Sequence, residues 1–338
     1  MMFDTSSSLA AFLDRLSEAD GGARAEASAR QQQLTKPPGS LGRLEDIAIF
    51  LSGWQKPSIK AENIQVVLFA GNHGVTRQGI SPYPSDVTAQ MVENFRNGGA
   101  AISTLAREFG LRLSVHPLEL ERLTGDLSVE EAMTGEDVLA ALNAGASAVD
   151  KNADIVVVGE MGIGNTTVAA ALCAAALGGS GADWAGAGTG LDAAGVARKA
   201  QIIDRAIARL DAESRSAMDI FRHVGGRELC AIAGAVCAAR RHRIPVVLDG
   251  FVACAAVAPL FAANPKILEH CLAGHRSAER GHTRLLEIFG LTPLLDLGMR
   301  LGEGSGAALA TAVVRAAVAT HNGMATFAQA GVSNKDAR

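Results

Sequence analysis

Glutamates framed by glycines are the first residues in this sequence that suggest chemistry. Glu303 stands in the run LGEGSG, just before an Ala-rich segment with helical periodicity. A carboxylate on a backbone nearly stripped of β-carbons is open to a ligand and can take a proton from a reacting N–H or O–H. The same placement has a purely electrostatic explanation, because acids are favoured at helix N-termini and that dipole lowers their proton affinity. Glu160 raises the same alternatives. It directly follows the apolar run DIVVVG, where a buried acid needs a partner. Next comes Gly162-Ile163-Gly164-Asn165-Thr166-Thr167, which joins that run to a helical stretch. Closely spaced glycines let main-chain N–H groups approach an anion, and a helix N-terminus adds partial positive charge. The loop resembles a phosphate cradle, or else is a glycine turn capped by Asn165 or Thr166. It is neither a Walker A loop nor the strict dinucleotide fingerprint. Taken together, these residues suggest phosphate-anchored group transfer assisted by a carboxylate.

Other chemistries fit less well. His270, Cys271, His275 and His282 cluster in sequence, but their spacing matches no common structural zinc frame. Hydrogen-bonding roles are expected for these histidines and for His73 in AGNHGV, and no metal is expected. The cysteines Cys173, Cys230, Cys237, Cys254 and Cys271 are odd in number and irregularly spaced, which reads as reduced core thiols of a cytoplasmic protein. The run Arg240-Arg241-His242-Arg243 reads as the solvated, dipole-matched end of a helix. No GxSxG elbow supports a serine nucleophile.

These residues need a scaffold. Apolar runs at 64–70, 111–116, 154–159, 244–249 and 294–297, with a weaker one at 183–186, read as strands. Helical stretches fall at 9–32, 85–108, 136–149, 165–177, 192–210, 226–241, 251–263, 276–289 and 305–320. The alternation predicts a doubly wound α/β fold with a mostly parallel sheet of about six strands flanked by helices. Residues 36–338 would form the main catalytic domain, and 1–35 a helical segment of a small subdomain completed by helices near 265–290. Ligands of such sheets bind beyond the carboxyl ends of the strands, and glycine follows at most of these ends.

Composition narrows the function classes. In 338 residues, 48% are hydrophobic and 20% charged, so a large core is available and wholesale disorder is excluded. A formal charge of −4 and 4% aromatic residues argue against a nucleic-acid binder. The longest apolar run, 251–263, contains Pro259 and is too short to span a bilayer, and the N-terminus is not a secretory signal.

The motifs form an ordered set. KPPGSLGRLE, AGNHGV, SPYPSDVTAQM, GEMGIGNTT, GAGTGLD, VVLDGF, GHRSAERGH and LDLGMRLGEGSGAALA follow one another across residues 36–310. Together they closely resemble nicotinate-nucleotide–dimethylbenzimidazole phosphoribosyltransferases, which build the lower nucleotide loop of cobalamin. The resemblance implies transfer of a 5-phosphoribosyl group from nicotinate mononucleotide to 5,6-dimethylbenzimidazole, with inversion at C1′. It implies no organic cofactor, no obligatory metal, and a homodimer. It assigns Glu303 as the base, and Glu160, Gly162, Gly164, Asn165, Thr166, Thr167 and Gly302 to substrate binding. It places Lys199 and Ser277 at the nucleotide or its phosphate, and Ser81, Tyr83 and Gln90 along the base pocket. The rival readings are a related transferase with another acceptor base and a non-catalytic nucleotide sensor. A dinucleotide dehydrogenase fits less well, since its fingerprint is missing, and a structural scaffold would not need glycine and acid at so many strand ends.

Overall fold

The computed structural model of the chain describes residues 2–56, 58–188, 190–210 and 215–333. Five strands form one sheet: β1 Ile64–Ala70, β2 Arg112–Pro117, β3 Ile155–Met161, β4 Val246–Leu248 and β5 Cys271–Ala273. Their order is β2-β1-β3-β4-β5, and every pairing is parallel. β1 and β3 are buried on both faces, which is why their sequences are nearly continuous apolar runs rather than alternating ones.

Alternate side chains of each strand enter two cores. Val67, Phe69, Val156, Val158, Val246 and Leu248 pack on one side, with the helices Asn165–Leu177 and Arg227–His242. Ile64, Val66, Leu68, Ile155, Val157 and Val247 pack on the other, with Arg43–Ser52, Ala101–Glu108 and Ser305–Gly323. Each fully buried Val, Leu or Ile contributes roughly 1.5–3 kcal/mol of transfer free energy. Among the described residues, no helix is long and apolar enough to cross a membrane.

The structure corrects the sequence reading in five respects. Residues 183–186 are not a strand: Ser180 and Asp183 form a capping box that starts the short helix Gly181–Trp184. Residues 294–297 contribute only an isolated parallel bridge, His275 to Leu295. The fifth strand is instead Cys271–Ala273, inside the stretch assigned to helices. Arg240 is not solvated. It is fully buried, with its guanidinium 4.5 Å from the Trp54 ring centroid and 3.0 Å from the Glu269 carboxylate. The expected helices at 9–32, 85–108 and 251–263 each break in two, giving Ser6–Leu13 and Gly21–Gln33, Asp86–Arg96 and Ala101–Glu108, and Phe251–Ala255 and Ala258–Ala263.

Candidate active site

The strand order reverses direction between β1 and β3, and such a switch point opens a crevice beyond the carboxyl ends of the strands. A cavity of about 660 Å³ lies there. Glu160, Gly162, Gly164, Asn165, Thr166, Lys199, Ser277, Gly302, Glu303, Ser81 and Tyr83 all line it. Two expected residues do not reach its wall. Gln90 is exposed on the helix Asp86–Arg96, and Thr167 is fully buried behind the glycine loop.

Glu160 is the penultimate residue of β3, paired with Phe69 of β1. Its carboxylate accepts hydrogen bonds from the Asn165 side-chain amide and from the main-chain N–H of Glu303. Burial, then the charges of Asp249, Glu228 and Glu303, push its pKa up to about 8. Its surroundings therefore favour the protonated form.

Glu303 sits in the turn before the helix Ser305–Gly323. Its φ is 63°, a left-handed conformation that costs a non-glycine residue roughly 1–2 kcal/mol. The Glu160 carboxylate crowds the residue before Glu303: a β-carbon on Gly302 would meet Glu160 Oε1. The Glu303 side chain is 5% exposed, and the Ile102 N–H points at its Oε2 from 3.4 Å. Burial raises its proton affinity above the ordinary glutamate value; the Ile102 N–H opposes this and the Asp249 charge adds to it. The objection that a helix dipole would make Glu303 a weak base is thus answered by desolvation.

The wall that carries Lys199 and Thr166 is built differently. Gly164 adopts φ 93° and leads into the helix Asn165–Leu177. Lys199, on the helix Ala193–Ala208, is 1% exposed. Its Nζ donates to Thr166 Oγ1 at 2.8 Å and to the Gly186 carbonyl at 3.2 Å, both neutral oxygens. Burial pulls its pKa down to about 8, with the Glu279 charge opposing. Ser277 is fixed through its main chain: its N–H donates to His282 Nδ1 at 2.9 Å, which leaves His282 Nε2–H facing Cys254 Sγ at 3.4 Å. Burial, with the charges of His275 and Arg276, holds His282 at a pKa of about 3, so it is a neutral spacer. All five cysteines are buried and free.

The cavity also holds residues that sequence reasoning missed. Arg300 donates to the Gly188 carbonyl at 3.0 Å, and Glu279 follows Ser277 on the same loop. Their positions inside the quoted motifs were the available signal. Ile80, Val87 and Met91 make the apolar wall. Val87 and Met91 also lie inside a quoted motif, SPYPSDVTAQM, but as apolar residues on a helix they equally fit ordinary core.

A family model described as phosphoribosyltransferase matches residues 16–332. The chain is 59% identical over 333 residues to the nicotinate-nucleotide–dimethylbenzimidazole phosphoribosyltransferase of Novosphingobium aromaticivorans, covering 97% of this chain and 98% of that one. It is 55% identical over 332 residues to the enzyme of the same name from Ruegeria pomeroyi, covering 96% and 98%. The crystal structure of CobT from Thermus thermophilus superposes with a TM-score of 0.86 at 40% identity, covering 93% of this chain and 99% of that one. On these matches the chain belongs to the nicotinate-nucleotide–dimethylbenzimidazole phosphoribosyltransferase family.

Proposed function

We infer that this chain transfers the 5-phosphoribosyl group of nicotinate mononucleotide to 5,6-dimethylbenzimidazole, releasing nicotinate and α-ribazole 5′-phosphate. One observation carries the assignment of roles: a buried carboxylate, Glu303, and a cradle made of Lys199, Thr166 and a helix N-terminus share one cavity.

Lys199, Thr166 and the N-terminus of Asn165–Leu177 take the 5′-phosphate. One ring nitrogen of the benzimidazole attacks C1′ in line. The bond from C1′ to the pyridinium nitrogen breaks, and its electron pair neutralises that nitrogen, so the leaving group needs no proton. As the attacking ring becomes cationic, its remaining N–H acidifies and the proton passes to the Glu303 carboxylate. Glu160, pushed by burial toward its protonated form, lessens the negative charge beside that base. Ile80, Val87, Met91 and Tyr83 offer the flat, apolar surface that the acceptor needs. We also propose a homodimer, on the family resemblance, to be checked by sedimentation equilibrium.

The test is nicotinate release from nicotinate mononucleotide, with and without dimethylbenzimidazole, for wild type and Glu303→Ala. Release that depends on the base and is lost in the variant supports both function and role. Wild type with no release from any benzimidazole, purine or phenol acceptor rejects the activity. Unchanged release by Glu303→Ala rejects only the assigned base.

A further inference from the structure

A buried carboxylate outside the cavity wall holds the Glu303 turn. Asp249 directly follows β4 and is 1% exposed. Its Oδ2 accepts from the Gly304 N–H at 3.1 Å, and its Oδ1 accepts from the Ala307 N–H at 2.8 Å. These donors flank the start of the helix Ser305–Gly323, where main-chain N–H groups lack helical partners and attract negative charge. His275 Nε2 lies 3.5 Å from Asp249 Oδ1.

The turn has little other freedom. Gly302, Glu303 and Gly304 are consecutive left-handed residues, at φ 84°, 63° and 80°. Beneath them runs β3, so close that a β-carbon on Gly159 would sit 2.6 Å from the Glu303 carbonyl oxygen. Above the helix start, a β-carbon on Gly306 would lie 2.2 Å from the His275 ring. The β3 backbone and the imidazole box the turn by contact. Asp249 supplies the directional bonds that select this conformation over a relaxed one, in which Glu303 would leave the left-handed region and withdraw its carboxylate from the cavity.

We propose that Asp249 is a positioning residue for the transfer reaction: through the Gly304 and Ala307 N–H groups it fixes the turn that aims Glu303 at the acceptor base. The proposal rests on the reading of Glu303 as that base. Asp249 is not among the residues that line the cavity and makes no hydrogen bond to Lys199 or Thr166, so its loss should affect turnover and leave nucleotide binding alone.

The test compares Asp249→Asn with wild type, each with and without Glu303→Ala, by steady-state kinetics and by calorimetric titration with nicotinate mononucleotide. Asparagine keeps the volume but turns an NH₂ toward one of the two main-chain donors. The expected result is a fall in kcat of about a hundredfold, the cost of a misplaced catalytic group. KM and calorimetric affinity for the mononucleotide should stay within about twofold. In the Glu303→Ala background the same change should cost no more than about threefold, because the group it positions is gone. Equal losses in both backgrounds, or a loss carried by KM, overturn the proposal and leave Asp249 a support of the fold. Impaired Glu303→Ala beside wild-type turnover in Asp249→Asn overturns it alone. Wild-type turnover in Glu303→Ala overturns the base reading and this proposal with it. Should Asp249→Asn fail to fold by circular dichroism, His275→Gln gives the second reading. The expected result there is a kcat loss of about fivefold with KM kept, absent in the Glu303→Ala background; no loss in kcat, or the same loss in both backgrounds, overturns the proposal.

Discussion

The acidic and basic sides of one cavity show opposite uses of burial. On the acidic side, Glu160 and Glu303 are desolvated among other carboxylates, and both are pushed toward holding a proton. On the basic side, Lys199 is desolvated against neutral oxygens and pushed toward losing one. Each side departs from its ordinary state in the direction that a substrate can correct. A bound phosphate supplies the charge Lys199 lacks, and an acceptor N–H supplies the proton Glu303 is poised to receive. The binding group and the reacting group are therefore separable, and mutations should sort into KM effects and kcat effects according to the side they touch.

The largest break in that comparison is Glu303→Ala. We expect kcat to fall by about 10² to 10⁴ with little change in affinity for nicotinate mononucleotide, checked by steady-state kinetics and calorimetry. A comparable rise in KM would mean that the two sides are not separable. Lys199→Met should do the reverse. Losing a charge-assisted hydrogen bond worth about 1.5–3 kcal/mol raises KM for the mononucleotide by roughly ten- to a hundredfold and leaves the KM for dimethylbenzimidazole unchanged.

The sequence carried these groups unevenly. Glu303, Glu160 and the loop 162–167 stood out because the long apolar runs of β1 and β3 show where strands end, but a helix dipole or a capped glycine turn explains such residues equally well, so their roles came from the ordered set of motifs. Asp249 lies in the quoted motif VVLDGF but was given no role, because its partners, Gly304 and Ala307, lie more than fifty positions away. β5 was missed for a related reason. Cys271–Ala273 is three residues long, too short for any period to show, and its strand character comes from pairing with β4. Residues 294–297 looked more like a strand than they are, since Leu294 and Leu295 hydrogen-bond along the end of β5 without forming a ladder. Arg240 was misread because a charge at a helix end is ordinarily solvated, and only the tertiary fold brings Trp54 and Glu269 to it.

Titration sharpens the comparison, because each side should own one limb of the pH profile. The base works as a carboxylate with a raised pKa, so kcat/KM falls as pH drops through a value above the ordinary 4.5 of glutamate. The cradle works with a charged lysine, so kcat/KM for the mononucleotide falls as pH rises through about 8. Glu160 titrates in the same range, and Glu160→Gln separates the two: the upper limb should persist in that variant and vanish in Lys199→Met. Stability gives an independent reading. Glu160 has a folded-state pKa of about 8 against an ordinary value of 4.5, so its contribution is fully present below 4.5 and lost as pH rises through about 8. The ligand-free melting temperature should therefore decline across that window in wild type, and more shallowly in Glu160→Gln, as followed by scanning calorimetry.

The smallest effect tests whether the cradle is a set of independent donors or one arrangement. Thr166 Oγ1 accepts from Lys199 Nζ and sits at the first turn of the helix that faces the phosphate. Thr166→Val keeps the shape and removes the hydroxyl. A single neutral hydrogen bond is worth about 1 kcal/mol, so KM for the mononucleotide should rise only about fivefold if Thr166 acts alone. Lys199 would still reach the Gly186 carbonyl, but with one partner fewer it loses its fixed direction. If the hydroxyl chiefly aims the lysine, Thr166→Val in a Lys199→Met background should add almost nothing, and Thr166→Ser should restore wild-type KM. Additive losses in that double variant would instead make Thr166 a phosphate donor in its own right, with the basic side held together by the substrate rather than organised before it arrives.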